Sequence, residues 1–198
     1  MTLNSNQNEK KRFAERVPSV YPRGIFLLPS VLTGVNIILG YYAVILACTT
    51  PVEVFSPIVA QKCALLVILA SIFDAIDGRF ARLTNTTSAF GAQLDSIADV
   101  ISFGVAPSIL VYKWGLFMFP RFGWIASLFF LLAGAIRLAR FNALEEDGSV
   151  DSKSYFVGLP IPAAAISIAL LVHIIPELSD NFVVHFSILI MVYALSFL

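Results

Sequence analysis

The chain has 198 residues, 58% hydrophobic and only 13% charged, with a mean hydropathy of +0.85. A water-soluble domain of this length does not carry so much apolar side chain, so lipid is the solvent for most of it. Thirteen basic residues balance thirteen acidic ones, which points away from nucleic acid as a partner. Cys48 and Cys63 form no CxxC or Cys/His cluster, so neither a zinc module nor a disulfide framework is expected.

The first 24 residues are polar, with Lys10, Lys11, Arg12, Arg16 and Arg23. They lack the apolar core and small-residue cleavage site of a secretory signal. Within them Asn8–Val17 spaces its charges helically beside Phe13, Ala14 and Val17, and Pro18 ends the run. An amphipathic helix lying on the inner membrane surface is expected there. Residues 25–198 read as one all-α polytopic membrane domain. Six apolar stretches suit the hydrocarbon core: Ile25–Cys48, Val59–Leu83, Gly91–Tyr112, Gly123–Phe141, Leu159–Ile175 and Phe182–Leu198.

Lysine and arginine set the orientation. The five N-terminal cations join Arg79, Arg82, Arg137, Arg140 and Lys153 on one side, against Lys62, Lys113 and Arg121 on the other. The positive-inside rule therefore places both termini and the even-numbered connections in the cytoplasm, and the cytoplasmic (inner) membrane is the expected location.

The second and third stretches carry Asp74, Asp77, Asp95 and Asp99. An Asp at mid-helix costs about 2.5–3.5 kcal/mol to insert, and four together cost on the order of 10 kcal/mol. They must lie near the interface, line a wet cavity or bind cations. Asp74 and Asp77 are i,i+3 on one helix; Asp95 and Asp99 are i,i+4 on the next, with Gly91 one turn earlier. Each pair shares a face, and the short LTNTTSAF connection makes the helices antiparallel neighbours. Oxygen-only donors select hard cations: Mg²⁺, with Mn²⁺ and Ca²⁺ as alternatives. Gly78 and Ala81 clear space beside the acids, and Arg82 offers a planar fork to phosphate. A diphosphate held through metal is the reading these residues favour. The competing reading is an ion or proton path, as in carriers. An intramembrane prenyltransferase would use acids on well-separated helices, whereas these are consecutive.

Arg137 and Arg140 share a face near the inner end of the fourth stretch. They either snorkel to the interface or bind a lipid phosphate or substrate carboxylate. His173 and His185 read as outer interface residues, and Tyr112, Trp114 and Trp124 as an aromatic belt. Pro160 and Pro162 shape the entry to the fifth stretch, and Ser102, Phe103 and Gly104 follow Asp99 towards an acceptor pocket.

The run Asp74-x2-Asp77-Gly78-x2-Ala81-Arg82-x8-Gly91-x3-Asp95-x3-Asp99 resembles the signature of the CDP-alcohol phosphotransferase family at all eight fixed positions. SIADVISFGVAPSILVY, AGAIRLARFNAL and FVGLPIPAAA resemble its phosphatidylserine synthase branch, so the likeness covers most of the chain from Phe26 onward. One departure is Pro29-Ser30, where relatives often have Pro-Asn; Thr33 and Asn36 remain nearby. The resemblance implies six transmembrane helices, often a homodimer, and a cytoplasm-facing site with two divalent cations, Mg²⁺ or Mn²⁺. It implies that the phosphatidyl group passes from CDP-diacylglycerol to L-serine, releasing CMP. Asp74, Asp77, Asp95 and Asp99 would be metal ligands, with Asp99 also the catalytic base. Asp74, Gly78, Ala81, Arg82 and Thr33 would meet the nucleotide diphosphate, and Arg137 and Arg140 the serine or lipid phosphate. Within the family, glycerol 3-phosphate, inositol phosphate or an archaeal ether-lipid donor are the alternatives.

Overall fold

A computed structural model of the chain describes residues 27–84, 89–146, 158–179 and 181–198. The expected N-terminal amphipathic helix lies outside these residues. Among the described residues there are helices and no strands, as lipid demands: a helix satisfies its own backbone hydrogen bonds where water is absent.

Among the described residues, six apolar helices follow the expected stretches within about five residues: α1 Leu27–Thr49 and α2 Pro57–Thr84, α3 running from Ala89 to Leu116, α4 Pro120–Glu146, α5 Ile161–Ile174 and α6 Phe182–Phe197. The chain is thus an all-α, multi-pass membrane protein. Helices α1 to α4 are long and apolar enough to cross a bilayer. Helices α5 and α6, with 14 and 16 residues, reach only about 21 and 24 Å at 1.5 Å per residue, short of a hydrocarbon core of about 30 Å.

Local chemistry explains the boundaries. Thr49 and Thr50 turn their hydroxyls onto the Ile45 and Leu46 carbonyls at 2.8 Å each, satisfying the exposed end of α1. Pro51 and a 3₁₀ turn at Val52–Val54 follow, and Pro57 opens α2, where its missing N–H costs nothing. Asn181 caps α6, its Oδ1 accepting from the Val183 N–H at 3.0 Å. Phe119 N–H to Leu116 O, at 3.0 Å, turns the chain from α3 into α4.

Helix α3 is the centre of the bundle. Half of its span is buried, against 28% for α1 and α2 and 22% for α4. It is not uniform: Ala89–Asp99 is α-helical, Val100–Val105 is π-helical, Ala106–Val111 is α-helical again, and Tyr112–Leu116 is π-helical. The first widening has a cause in sequence. Pro107 offers no N–H to the Phe103 carbonyl one turn before it, so the ladder re-registers. The bond from Ala106 N–H to Ile101 O shows the longer i→i+5 step.

Around α3, α1 packs along α2, α2 against α5, and α4 against α6. The seams are lined by small residues, Ala43, Ala47, Ala60, Ala64 and Ala70 on α1 and α2, and Ala164, Ala165 and Ala169 on α5. Small side chains let helices approach where no hydrophobic force separates protein from lipid. Phe103, Leu110, Phe130 and Ile168 fill what remains.

Two expectations about the end away from the acids, expected to face outward, need correction. Trp114 is only 6% exposed, and its indole N–H donates to the Ile175 and Pro176 carbonyls at 3.1 and 3.2 Å. His185 is 2% exposed, with Nδ1 2.8 Å from Gly115 O. Both serve the interior rather than the interface, because the end of α5 and the second π segment present carbonyls that need partners. Trp124, 51% exposed, keeps a surface place suited to an aromatic belt.

Candidate active site

The acids come from two helices held by a third. Asp74 and Asp77 lie on α2; Asp95 and Asp99 lie on α3, Asp99 on the last turn before its π-helical segment. One carboxylate oxygen from each of Asp74, Asp95 and Asp99 lies within 4.8 Å of the other two. Carboxylates so close repel unless protons or cations lie between them. The convergence follows from the i,i+3 and i,i+4 spacings on adjacent antiparallel helices.

Asp77 stands at the edge of this trio, against α1. The Thr33 hydroxyl donates to its Oδ2, while Oδ1 is buried without a partner. Asp77 and Asp99 are 4% and 9% exposed, and Asp99 Oδ1 is likewise buried and unpartnered. Asp74 and Asp95 are partly exposed. Buried carboxylate oxygens without donors are expensive in a low-dielectric interior. An oxygen-only donor set with open lone pairs fits a hard divalent cation. The residues present therefore suit the cation that their spacing suggests.

Thr33, 4% exposed, reaches the site as a partner of Asp77. Gly78 follows Asp77 on α2 and Gly91 precedes Asp95 on α3, both partly exposed. The backbone of Ala81 and Arg82 continues α2, and their side chains lie outside what is described. Arg137, on α4, spends its guanidinium on main chain: Nε donates to Ala133 O at 3.1 Å, Nη1 to Leu159 O at 3.1 Å and Nη2 to Leu195 O at 3.3 Å. It thereby ties α4 to the start of α5 and the end of α6. Arg140, one turn on, is exposed.

Two features of the site were not read from sequence. One is the π-helical turn after Asp99; Pro107 in mid-span was its available signal. The other is the unpaired amide of Asn36 on α1; the sequence set Asn36 beside Thr33 near the start of the first span, but gave no sign that its side chain is buried without a partner.

Bundle and acid cluster define a class. The sequence model for CDP-alcohol phosphatidyltransferases matches residues 26–198, and the chain belongs to that family. It is similar to proteins named CDP-diacylglycerol–serine O-phosphatidyltransferase from three domains of life. That of Helicobacter pylori is 43% identical over 148 residues, 75% of this chain and 58% of the relative. That of Methanocaldococcus jannaschii is 42% identical over 144 residues, 73% of this chain and 59% of the relative. That of Saccharomyces cerevisiae is 38% identical over 135 residues, 66% of this chain and 48% of the relative. The chain thus spans between about half and three-fifths of the length of these relatives.

Proposed function

We propose that the chain is a phosphatidylserine synthase, transferring the phosphatidyl group of CDP-diacylglycerol to the hydroxyl of L-serine and releasing CMP. The observation that carries the reading is the meeting of Asp74, Asp95 and Asp99 oxygens within 4.8 Å at the junction of α2 and α3. The names of relatives on three branches of life support the choice of donor and acceptor.

Asp74, Asp77, Asp95 and Asp99 hold divalent cations, Mg²⁺ or Mn²⁺, two ions being within the reach of four carboxylates. When bound, these ions neutralise the diphosphate and stabilise the departing CMP. Asp99 takes the proton from the serine hydroxyl, which requires approach to about 2.6–3.2 Å or one bridging water. The serine oxygen forms its bond to the lipid-bearing phosphorus as the bond from that phosphorus to the CMP oxygen breaks, and the proton rests on Asp99. Gly78 and Ala81 let the nucleotide approach the α2 backbone, and Arg82 pairs with phosphate. Thr33 steadies Asp77 from α1 at the nucleotide's side. Arg140 draws the serine carboxylate or lipid phosphate to the inner end of α4, while Arg137 behind it holds α4 against α5 and α6.

The acids and arginines lie at the cytoplasmic face, with both termini on that side, and α5 and α6 complete six crossings where the bilayer thins or snorkelling residues extend them. A homodimer is the expected assembly in the cytoplasmic membrane.

Radiolabelled L-serine incorporation by membranes supplied with CDP-diacylglycerol and Mg²⁺ or Mn²⁺ tests this directly. Label in phosphatidylserine with equimolar CMP is expected. CMP release with glycerol 3-phosphate or inositol phosphate and not with serine would reassign the acceptor. No CMP release with any acceptor would favour an ion-coupled carrier. If Arg137→Lys and Arg140→Lys both leave the serine KM unchanged, the carboxylate role fails.

A further inference from the structure

Where α1, α2 and α3 meet, one amide lacks partners. Asn36 is 1% exposed, and neither its Oδ1 nor its Nδ2 makes a hydrogen bond. An open amide buried in a helix bundle is costly where an apolar side chain would fill the same space. Its neighbours locate it at the acid cluster. Thr33, one turn earlier on the same face of α1, donates to Asp77. The Asn36 carbonyl accepts from Ser102 Oγ at 3.0 Å, and Ser102 lies one turn beyond Asp99 on α3. A Cβ at Gly40 would stand 2.7 Å from Ser102 Cα, so the two backbones touch just beyond Asn36 and fix its height.

Helical side chains lean towards the N-terminus of their helix. The Asn36 amide therefore reaches back from Ser102 towards the level of Thr33, Asp77 and Asp99. The unpartnered Asp77 Oδ1 and Asp99 Oδ1 belong to the same three-helix junction. With only 1% of Asn36 exposed, any partner of its amide has to be as small as an ion or a water. A nucleobase or lipid headgroup would need the helices to part. Two carboxylate oxygens and an amide oxygen make an all-oxygen set of mixed charge, which hard divalent cations accept.

We propose that Asn36 completes the cation site from the first helix, its Oδ1 giving a neutral oxygen to the ion, directly or through one water. The proposal rests on the reading of the four aspartates as a cation site. It makes α1 part of the metal-binding unit and gives a reason for a buried asparagine in an apolar span.

The test is Mn²⁺ binding to the purified full chain in detergent without substrates, followed by loss of the free-ion EPR signal. Asn36→Leu keeps the volume and removes the oxygen; Asn36→Asp keeps an oxygen in place; Asp95→Asn is the reference for damage to the acids. Asn36→Leu is expected to weaken Mn²⁺ binding about tenfold or more, the scale on which loss of a supporting group lowers metal affinity. Asn36→Asp is expected to bind at least as tightly as the natural chain. Natural affinity in Asn36→Leu, with weakened binding in Asp95→Asn, would overturn the Asn36 assignment alone. Equal weakening in Asn36→Leu and Asn36→Asp would overturn the role of the oxygen. If the natural chain and Asp95→Asn bind Mn²⁺ equally poorly, the cation reading falls and the Asn36 assignment with it. Should Asn36→Leu not fold, as judged by helical circular dichroism, Asn36→Ala carries the comparison under the same criterion.

Discussion

The two ends of the bundle bury polar side chains in opposite ways. At the end away from the acids, Lys113 Nζ donates to Thr50 O at 2.7 Å, Gln61 to His173 O at 3.2 Å, Trp114 to the end of α5, and His185 meets Gly115 O. Each lands on a backbone carbonyl that a helix end or a π-helical turn leaves open, and among the described residues His173 Nδ1 is the one buried side-chain polar atom there without a partner. At the acid end, four buried side-chain atoms on three helices are open among the described residues: Asp77 Oδ1, Asp99 Oδ1 and both amide atoms of Asn36. Polar groups matched to fixed carbonyls hold a fold together; polar groups left unmatched beside one another are arranged for something that arrives. Arg137, although sequence suggests an anion partner, shows the first behaviour, its fork closed on three carbonyls.

Perturbing the two ends should separate activity from stability. Stripping divalent cations with EDTA should abolish CMP release, and Mg²⁺ or Mn²⁺ should restore it; full turnover without metal would remove the purpose assigned to the acids. Asp99→Asn should lower kcat by about a hundredfold or more, the range for a general base, while CDP-diacylglycerol still binds in a filtration assay. Near-normal turnover would rule out that base.

Between the ends, Gly40 tests the contact that sets the height of Asn36. Gly40→Ala would overpack the seam between α1 and α3 and should cost about 1–3 kcal/mol, seen as a lower Tm in detergent. Gly34 has nothing within 4 Å of its Cβ position, so Gly34→Ala should leave Tm close to the natural value. Equal effects at the two glycines would deny the close approach. The smallest effect belongs to the end away from the acids. Trp114→Phe removes one donor from two carbonyls and should cost about 1 kcal/mol of stability, leaving KM and kcat for both substrates unchanged. A change in KM there would blur the contrast between the ends.

Much of this was legible in the sequence. Apolar runs located the six described helices, since a helix in lipid needs little beyond length and hydropathy. The acids announced themselves by their cost, and their spacing sufficed to bring them together. What resisted was whatever depends on a partner in another helix. The burial of Trp114 and His185 depends on carbonyls far along the chain. The open amide of Asn36 depends on the absence of a partner, which no linear pattern displays. The π-helical turn after Asp99 was half visible: Pro107 forecasts a break in the ladder, but not the direction in which the ladder repairs itself.

Crystals of the full chain soaked in Mn²⁺ and measured at the manganese absorption edge test the central claim most directly. Anomalous density is predicted within coordination distance, about 2.0–2.6 Å, of carboxylate oxygens of Asp74, Asp95 and Asp99. Density only elsewhere, or none at saturating Mn²⁺, would contradict it.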